Sequence, residues 1–349
     1  MTGKMNPIKD KLKYYILQSL DIIDTNILRR LSGINPLLPF YHTVSNERLP
    51  HLVYLYQFKN VDQFILDLDY FLCYYKSISL EKLIKHKKEG IKIPSNSIHI
   101  TFDDGLKENY QIIAPILKEK NLDATFFIST SFINNQKLFY RHKASVIINY
   151  LQESNNKKYE KLTMEVLKDN NINSQDLIQS ILSVSYEKQD TLDVISNEID
   201  FSFQEYLNFY QPYLKSNQIS SLISEGFSIG SHSCDHPYYQ KINLSEQIKQ
   251  THTSLNLLSD QFSIKYKAFA IPYNDLDLNS DFFNALYSNL GIDIYFGTAG
   301  MLIDQYKSNY QRFHLEGKYS GISPYKVVKN KYSNVIFERL RGRSILMRQ

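Results

Sequence analysis

The sequence predicts an α/β fold with a parallel sheet, and three observations support this prediction. Residues 95–105 (SNSIHITFDDG) alternate between apolar and polar side chains, which is typical of a strand. A helical segment at 106–120 and a continuous apolar run at 123–130 follow, and strand, helix and strand within about thirty residues indicate a parallel pair. The same alternation of strands and helices returns between residues 226 and 297.

The composition is that of an ordinary globular protein. The chain has 349 residues, of which 43% are apolar and 22% charged, enough for one elaborated domain or two smaller ones. Its net charge of +4 arises from nearly balanced acidic and basic residues, so it gives no support to nucleic-acid binding. The two cysteines lie far apart in sequence and exclude a disulfide framework. We find neither a signal peptide nor an apolar stretch of membrane-spanning length, which predicts a cytoplasmic protein.

The first predicted elements are an amphipathic helix at residues 8–31 and a buried strand. The apolar face of the helix repeats at intervals of three and four residues and comprises Ile16, Leu20, Ile23, Ile27 and Leu31. We interpret this face as a core-packing surface, with contact with a membrane surface as the alternative. Gly33 and Pro36 end the N-terminal segment of residues 1–36, and the apolar run 37–44 predicts the first strand.

Residues 37–330 are predicted to form one domain that carries a helical insertion. The insertion spans about residues 131–220, is rich in Lys, Asn and Gln, and shows several helical patterns. Residues 331–349 form a basic C-terminal tail with four arginines: Arg339, Arg341, Arg343 and Arg348. We interpret it as a solvated tail. Peripheral contact with an anionic membrane, at the inner membrane face, is the alternative.

Two adjacent carboxylates, Asp103 and Asp104, close the strand at 95–105 and precede a glycine. Neighbouring side chains on a strand point to opposite faces, so we expect the two acids to have different partners. Adjacent acids are common on protein surfaces. However, α/β sheets bind their ligands at the carboxyl ends of their strands, which makes this pair a candidate functional site.

A second candidate is the pair His232 and His236, which is enclosed by a glycine and a proline and therefore predicts a turn. Two neutral imidazoles at this spacing can hold one divalent ion, although such histidines are also found as capping or surface residues. The metalloprotease pattern is not met, because Ser233 stands where that pattern requires Glu. Asp104 is the natural third ligand, since two histidines and one carboxylate leave coordination positions open.

With these motifs, the sequence resembles the polysaccharide deacetylase (NodB-like) family. The segment TFDDG (101–105) matches the first motif of the family, and HSCDH (232–236) matches the second, H-[ST]-x-x-H. The early Tyr41-His42-x-Val44 fits as well. The resemblance implies a distorted (β/α) barrel and hydrolysis of N-acetyl groups on a carbohydrate, either a polysaccharide or a lipid-linked glycan. It also implies one divalent metal ion, usually zinc.

The resemblance assigns roles residue by residue. Asp104, His232 and His236 would hold the metal, and Asp103 would be the general base that activates the attacking water. The backbone N–H of Tyr273, within the family's third motif, would stabilise the tetrahedral oxyanion.

The third motif also departs from the usual family pattern. Many members have an arginine where this chain has Ala270, and the segment here reads Phe-Ala-x-Pro-Tyr, which we interpret as a subgroup feature. The late Leu-x-x-His of the family is absent as well. We hypothesise that residues 311–315 form a strand on which Arg312 and His314 share one face. Arg312 would orient Asp103, and His314 would protonate the departing amine; two exposed cations on a strand edge are the alternative.

Two other functions remain as alternatives. A catalytically inactive deacetylase-like module could bind a glycan, but retention of Asp103 beside a complete metal triad argues against it, because buried ionisable groups are costly. A phosphodiesterase with two metal ions would need further acidic ligands that the sequence does not offer.

Overall fold

A computed structural model describes residues 22–172, 176–343 and 345–348 of the chain. Eight parallel strands form a nearly closed barrel at its centre. They are β1 (Pro39–Tyr41), β2 (Ile100–Phe102), β3 (Ala124–Ile128), β4 (Ser228–Ser231), β5 (Ala268–Ala270), β6 (Ile294–Gly297), β7 (Asn309–Gln311) and β8 (Phe313–His314). Their order is β7-β6-β5-β4-β3-β2-β1-β8. The parallel α/β sheet and the (β/α) barrel predicted from the sequence are confirmed.

Helices surround the barrel and extend from it. They are α1 (Thr25–Ser32), α2 (Val61–Tyr74), α3 (Leu80–Glu89), α4 (Ala114–Glu119), α5 (Tyr140–Ser154), α6 (Lys157–Asp169), α7 (Leu177–Leu182), α8 (Asp190–Glu198), α9 (Phe203–Tyr210), α10 (Ser216–Ser224), α11 (Leu244–Phe262), α12 (Ser280–Asn289) and α13 (Pro324–Leu340). Two short parallel pairs lie outside the barrel, Lys76–Ser77 with Ser97–Ile98 and Ile303–Asp304 with Ile345–Leu346. Among the described helices, none is both long enough and apolar enough to cross a membrane.

The barrel strands are buried almost throughout, because helices cover them on the outside and side chains fill the inside. One hydrophobic cluster joins β1, β2 and β3 to the surrounding helices. A second cluster lies on the side of β5 and β6 that faces α12. Strands buried on both faces read as continuous apolar runs, which is why segments such as 123–130 were recognisable in the sequence.

A single extended segment, residues 309–314, closes the barrel. Its first half, β7, pairs with β6, and its second half, β8, pairs with β1. The change of partner occurs at Arg312, whose N–H donates to the carbonyl of Gly297 at 3.0 Å. The next residue, Phe313, donates to the carbonyl of Leu38 at 3.1 Å, on the opposite edge of the sheet. One strand therefore holds both edges together, with Arg312 at the junction.

Between β3 and β4 the chain forms the helices α5 to α10, in the region where the sequence predicts an insertion. The apolar side chains of these helices form a hydrophobic cluster of their own. Leu49, Leu52 and Leu106, from loops that leave β1 and β2, are members of the same cluster. The cluster thereby attaches the helical region to the carboxyl ends of the barrel strands, where the candidate site lies.

The N-terminal helix turns only part of the predicted face to the protein. Of that face, Ile16 and Leu20 lie outside the described residues, Ile23 is half-buried against the main hydrophobic cluster, and Ile27 and Leu31 are exposed. Leu28 is buried instead, because α1 packs against α13. The core-packing prediction for Ile27 and Leu31 is therefore wrong. A spacing of four residues identifies a helix but does not settle which of its faces meets a distant partner helix.

The prediction of a solvated C-terminal tail is wrong for Arg348. The chain continues as α13 to Leu340, and Arg339 donates to the carbonyls of Leu31 and Ser32. The side chain of Arg348 is fully buried and forms ion pairs with Asp275 and Asp304. By contrast, Arg343 is exposed, as a solvated tail would have it.

Candidate metal centre

The two carboxylates at the end of β2 have different partners, as the strand pattern predicts. The N–H of Asp103 donates to the carbonyl of Tyr41 at 2.9 Å, which continues the pairing of β2 with β1. Asp104 then adopts the left-handed backbone conformation, with φ of 72°, and turns the chain away from the sheet. Gly105 has the same conformation, and a Cβ atom there would lie 3.0 Å from the side chain of Ile128. The turn thus places two successive carboxylates in two different surroundings.

The two histidines lie in a tight loop directly after β4. Ser233 and His236 both have a positive φ, of 69° and 54°. The hydroxyl of Ser233 accepts a hydrogen bond from the backbone N–H of His236 at 3.0 Å, and this bond braces the loop. Backbone conformations of this kind are costly and cluster at functional sites. The loop therefore holds both imidazole rings above the end of the barrel.

Asp104, His232 and His236 are brought together in one buried cluster. The Oδ1 atom of Asp104 lies 3.3 Å from Nε2 of His236 and 3.6 Å from Nε2 of His232, and the two Nε2 atoms are 3.0 Å apart. His232 donates from Nδ1 to the carbonyl of Ala270 at 2.8 Å, which places its proton on Nδ1. Its Nε2 atom therefore directs a lone pair into the cluster.

This cluster fits a divalent cation. Burial lowers the pKa of both His232 and His236, the latter to about 3, so both rings are neutral and can act as ligands. Oδ1 of Asp104 is buried without a hydrogen-bond partner among the described residues, which is costly for a carboxylate oxygen. One cation would satisfy this oxygen and both imidazole nitrogens. Two histidines and one carboxylate form a donor set of the kind that catalytic zinc sites use.

Asp103 is bound by Arg312, as hypothesised from the sequence. Nη1 and Nη2 of Arg312 donate to the two carboxylate oxygens at 2.7 and 2.9 Å, and Nη1 also donates to the hydroxyl of Thr101 at 2.9 Å. The guanidinium is fully buried and lies 4.7 Å from the ring centroid of Phe40. Burial raises the pKa of Asp103, but the charge of Arg312 and its hydrogen bonds outweigh this effect and lower the pKa to about 2. Asp103 is therefore an ionised carboxylate of fixed orientation, 3.9 Å from Nε2 of His232.

His42 is a functional candidate to which the sequence analysis gave no role. It follows β1 directly, and its Nδ1 atom lies 2.8 Å from Oε2 of Glu316. Burial lowers the pKa of His42, but the hydrogen bond to Glu316 and the carboxylates around it outweigh this and raise the pKa to about 9. The ring is thus protonated at neutral pH. The sequence contained the signal in part, since His42 belongs to the early Tyr-His motif, but its partner lies 274 residues away.

His314 does not reach the site. Its ring packs against Phe40 and Tyr319, with centroids 6.0 and 5.2 Å apart, and it is not among the residues that line the cavity. Burial lowers its pKa to about 4, so it is neutral at pH 7. The geometry therefore does not support the prediction that His314 protonates the departing amine. Alternation along a strand does not give the distance of a side chain from the metal ligands.

His42, Asp103 and the three candidate metal ligands open into one cavity of about 310 Å³. The barrel contributes Asp103, Asp104 and the two histidines to its lining, and the helical region contributes Phe139, Arg141 and His142. Part of the lining is aromatic: the rings of Tyr238 and Tyr273 are stacked with centroids 3.4 Å apart, and the ring of Tyr273 also packs against His236. Tyr273 has a positive φ of 59°. Its backbone stands at the cavity wall, and its role as an N–H donor to an oxyanion stays a prediction.

Comparison with known proteins agrees with this geometry. The polysaccharide deacetylase family model matches residues 91–294, which is more than half of the chain. The sequence has no significant match among curated proteins. The fold is similar to the Streptococcus pyogenes deacetylase PplD in complex with acetate, with a TM-score of 0.54, 14% identity, and coverage of 84% of this chain and 97% of that one.

Two further solved structures have a similar fold. IcaB from Ammonifex degensii has a TM-score of 0.53 and 14% identity, and the match covers 85% of this chain and 96% of that one. A de-N-acetylase from Aggregatibacter actinomycetemcomitans has a TM-score of 0.50 and 15% identity, with coverage of 84% and 98%. At these identities the likeness shows the shared barrel and no more.

Proposed function

The chain belongs to the polysaccharide deacetylase family, and from this premise we propose that it is a metal-dependent hydrolase that removes N-acetyl groups from a sugar or glycan. One observation carries the proposal: Arg312 holds the carboxylate of Asp103 beside the cluster of Asp104, His232 and His236. A metal site with an oriented, ionised carboxylate next to it is what amide hydrolysis by water requires.

Asp104, His232 and His236 would hold the metal ion, for which zinc is our proposal. When bound, the ion would polarise the acetamide carbonyl and make water more acidic. The carbonyl of Ala270 orients the ring of His232 and keeps its proton on Nδ1, so that Nε2 is available to the metal. The ligands thus have the correct protonation state before any ion arrives.

Asp103 would act as the general base. A base must be ionised and correctly placed, and Arg312 provides for both by neutralising the buried carboxylate and holding both of its oxygens. Arg312 is itself fixed by Thr101 and by the surrounding aromatic rings. Arg312 therefore takes the role of the arginine that many family members have at the position of Ala270. It reaches Asp103 from the strand segment that closes the barrel.

His42 would be the general acid. Amide hydrolysis must protonate the nitrogen that leaves, and His42 is the protonated group that lines the cavity together with Asp103. Its bond to Glu316 holds the ring and stabilises the imidazolium. The backbone N–H of Tyr273 would donate to the oxyanion.

The test is acetate release from N-acetylhexosamine oligomers and lipid-linked acetamido sugars, with and without a chelator. We expect activity that is lost on chelation and restored by zinc. Changing Asp103 to Asn should abolish most of the rate while the metal content stays at one ion per chain. Asp260→Asn, a change of the same chemistry on the exposed face of α11, is the matched control. Full activity in the chelated protein would refute the proposal.

A further inference from the structure

Among the described residues that line the cavity, Arg141 is charged and has no carboxylate partner. Arg141 lies in the first turn of α5 and lines the cavity together with its neighbours Phe139 and His142. It comes from the helical region between β3 and β4, and not from the barrel that carries the catalytic groups. The helical region thus delivers a cation to the wall of the same cavity.

Arg141 is anchored but not saturated. Its Nη1 atom donates to the carbonyl of Leu182, at the end of α7. A guanidinium has five N–H donors, so this bond fixes the side chain and leaves most of its donors available. Within the described ranges, no carboxylate lies at ion-pair distance from Arg141; the nearby Lys143, by contrast, is paired with Asp193.

The other charges of the cavity have their counter-charges in place. Asp103 is bound by Arg312, and His42 is bound by Glu316. Asp104 faces the two histidines with which it would hold the metal ion. Once that ion is bound, the cavity carries a net positive charge, and Arg141 adds a further one. A ligand with a negative charge would complete this arrangement.

The size and the walls of the cavity fit a sugar ring. A volume of about 310 Å³ is at the low end of the range for ligand pockets, roughly 300–1,000 Å³. The stacked Tyr238 and Tyr273, with Tyr56 and Phe139, provide the apolar faces against which sugar rings pack. The guanidinium of Arg141 is a charged group in the same lining.

We propose that the substrate is an acetamido sugar with an anionic group next to the acetamido-bearing ring, and that Arg141 binds this group. The inference rests on the proposed deacetylase function and narrows its substrate class. The shared chemistry is an anionic oxygen cluster, which planar guanidinium groups bind with two parallel hydrogen bonds. A phosphate on the anomeric carbon and the carboxylate of an adjoining uronic acid both supply it.

The experiment compares three substrates with the metal-loaded, full-length protein: N-acetylglucosamine 1-phosphate, the neutral methyl glycoside of N-acetylglucosamine, and a disaccharide of glucuronate and N-acetylglucosamine. We expect a higher kcat/KM for at least one anionic substrate than for the methyl glycoside. In Arg141→Gln this preference should fall at least tenfold, mainly through KM, because a charge-assisted hydrogen bond is lost. Arg141→Lys should restore part of it. The anionic substrate with the higher kcat/KM shows whether the group bound by Arg141 is a phosphate or a carboxylate.

Lys137→Gln is the matched control, because Lys137 is an exposed cation close in sequence that does not line the cavity. It should keep the preference of the wild type. Equal losses on anionic and neutral substrates in Arg141→Gln, or no preference in the wild type, would overturn the proposal. If no substrate releases acetate, the proposed function itself fails. Calorimetric binding of the phosphate and the methyl glycoside to Arg141→Gln and wild type then still decides whether Arg141 binds an anion.

Discussion

Replacing Arg348 with Met should destabilise the whole domain, although this residue lies at the far end of the chain. Its guanidinium bonds to Asp275 and lies 2.5 Å from the nearest oxygen of Asp304, and the side chains of all three residues are fully buried. The guanidinium also lies 4.3 Å from the ring centroid of Phe283. Met fills a similar volume but carries no charge, so the variant leaves two buried carboxylates without their common cation.

Removing one partner from a buried ion pair costs about 3–5 kcal/mol, because the remaining charge stays buried. We expect a loss of this size in the free energy of unfolding, measured by urea titration and followed by circular dichroism. Part of the effect should reach the cavity. Oδ1 of Asp275 accepts from the N–H of Thr298 at 2.9 Å, and the hydroxyl of Thr298 donates to the carbonyl of Tyr273 at 2.7 Å.

Arg343→Met is the matched control, because Arg343 is an exposed arginine of the same segment and its removal should change stability by less than about 0.5 kcal/mol. Adding Asp304→Asn to the Arg348→Met variant should recover part of the loss, since it removes one of the two stranded charges. If Arg348→Met unfolds at the same urea concentration as Arg343→Met, the ion pairs do not stabilise the fold and the reasoning is wrong.

Four further predictions concern the site. His236→Ala should reduce the bound metal to well below one ion per chain by atomic emission, and full occupancy would remove the basis of the metal site. Asp103→Asn should bind the metal normally but lose on the order of 10² to 10⁴ in rate, the usual cost of a positioned base. Arg312→Ala should lower kcat with the metal still bound. An unchanged rate would show that Asp103 does not depend on Arg312 for its position or charge. The wild-type rate should fall as pH rises through about 9, because His42 must be protonated to donate and loses its proton there. His42→Gln should be slow and lack this alkaline decline, and a persisting decline would assign it to another group.

Much of the barrel and of the metal site could be predicted because the relevant signals are local. The strand at 95–105 carries Asp103 and Asp104 within one alternating run, and His232 and His236 are four residues apart. Arg312 could be proposed as well, because an absent arginine in one motif raised the question of a replacement elsewhere.

What escaped prediction depends on contacts between distant parts of the chain. The charge of His42 is set by Glu316, and no periodicity connects the two. Arg348 looked like part of a solvated basic tail, but Asp275 and Asp304 offer it a buried acidic pocket that composition does not reveal. His314 and Arg312 both pack against the ring of Phe40, but alternation along the strand could not give the distance of His314 from the metal ligands.

The closing strand has a consequence for both the barrel and the site. Arg312 reaches Asp103 across 209 residues of sequence, and the segment that carries it is also the one that joins β6 to β1. Without residues 309–314 the sheet would have two unpaired edges, which are surfaces prone to aggregation. The carboxylate of Asp103 would also lack its guanidinium partner. Closure of the barrel and the pairing of Asp103 therefore depend on the same six residues near the end of the chain.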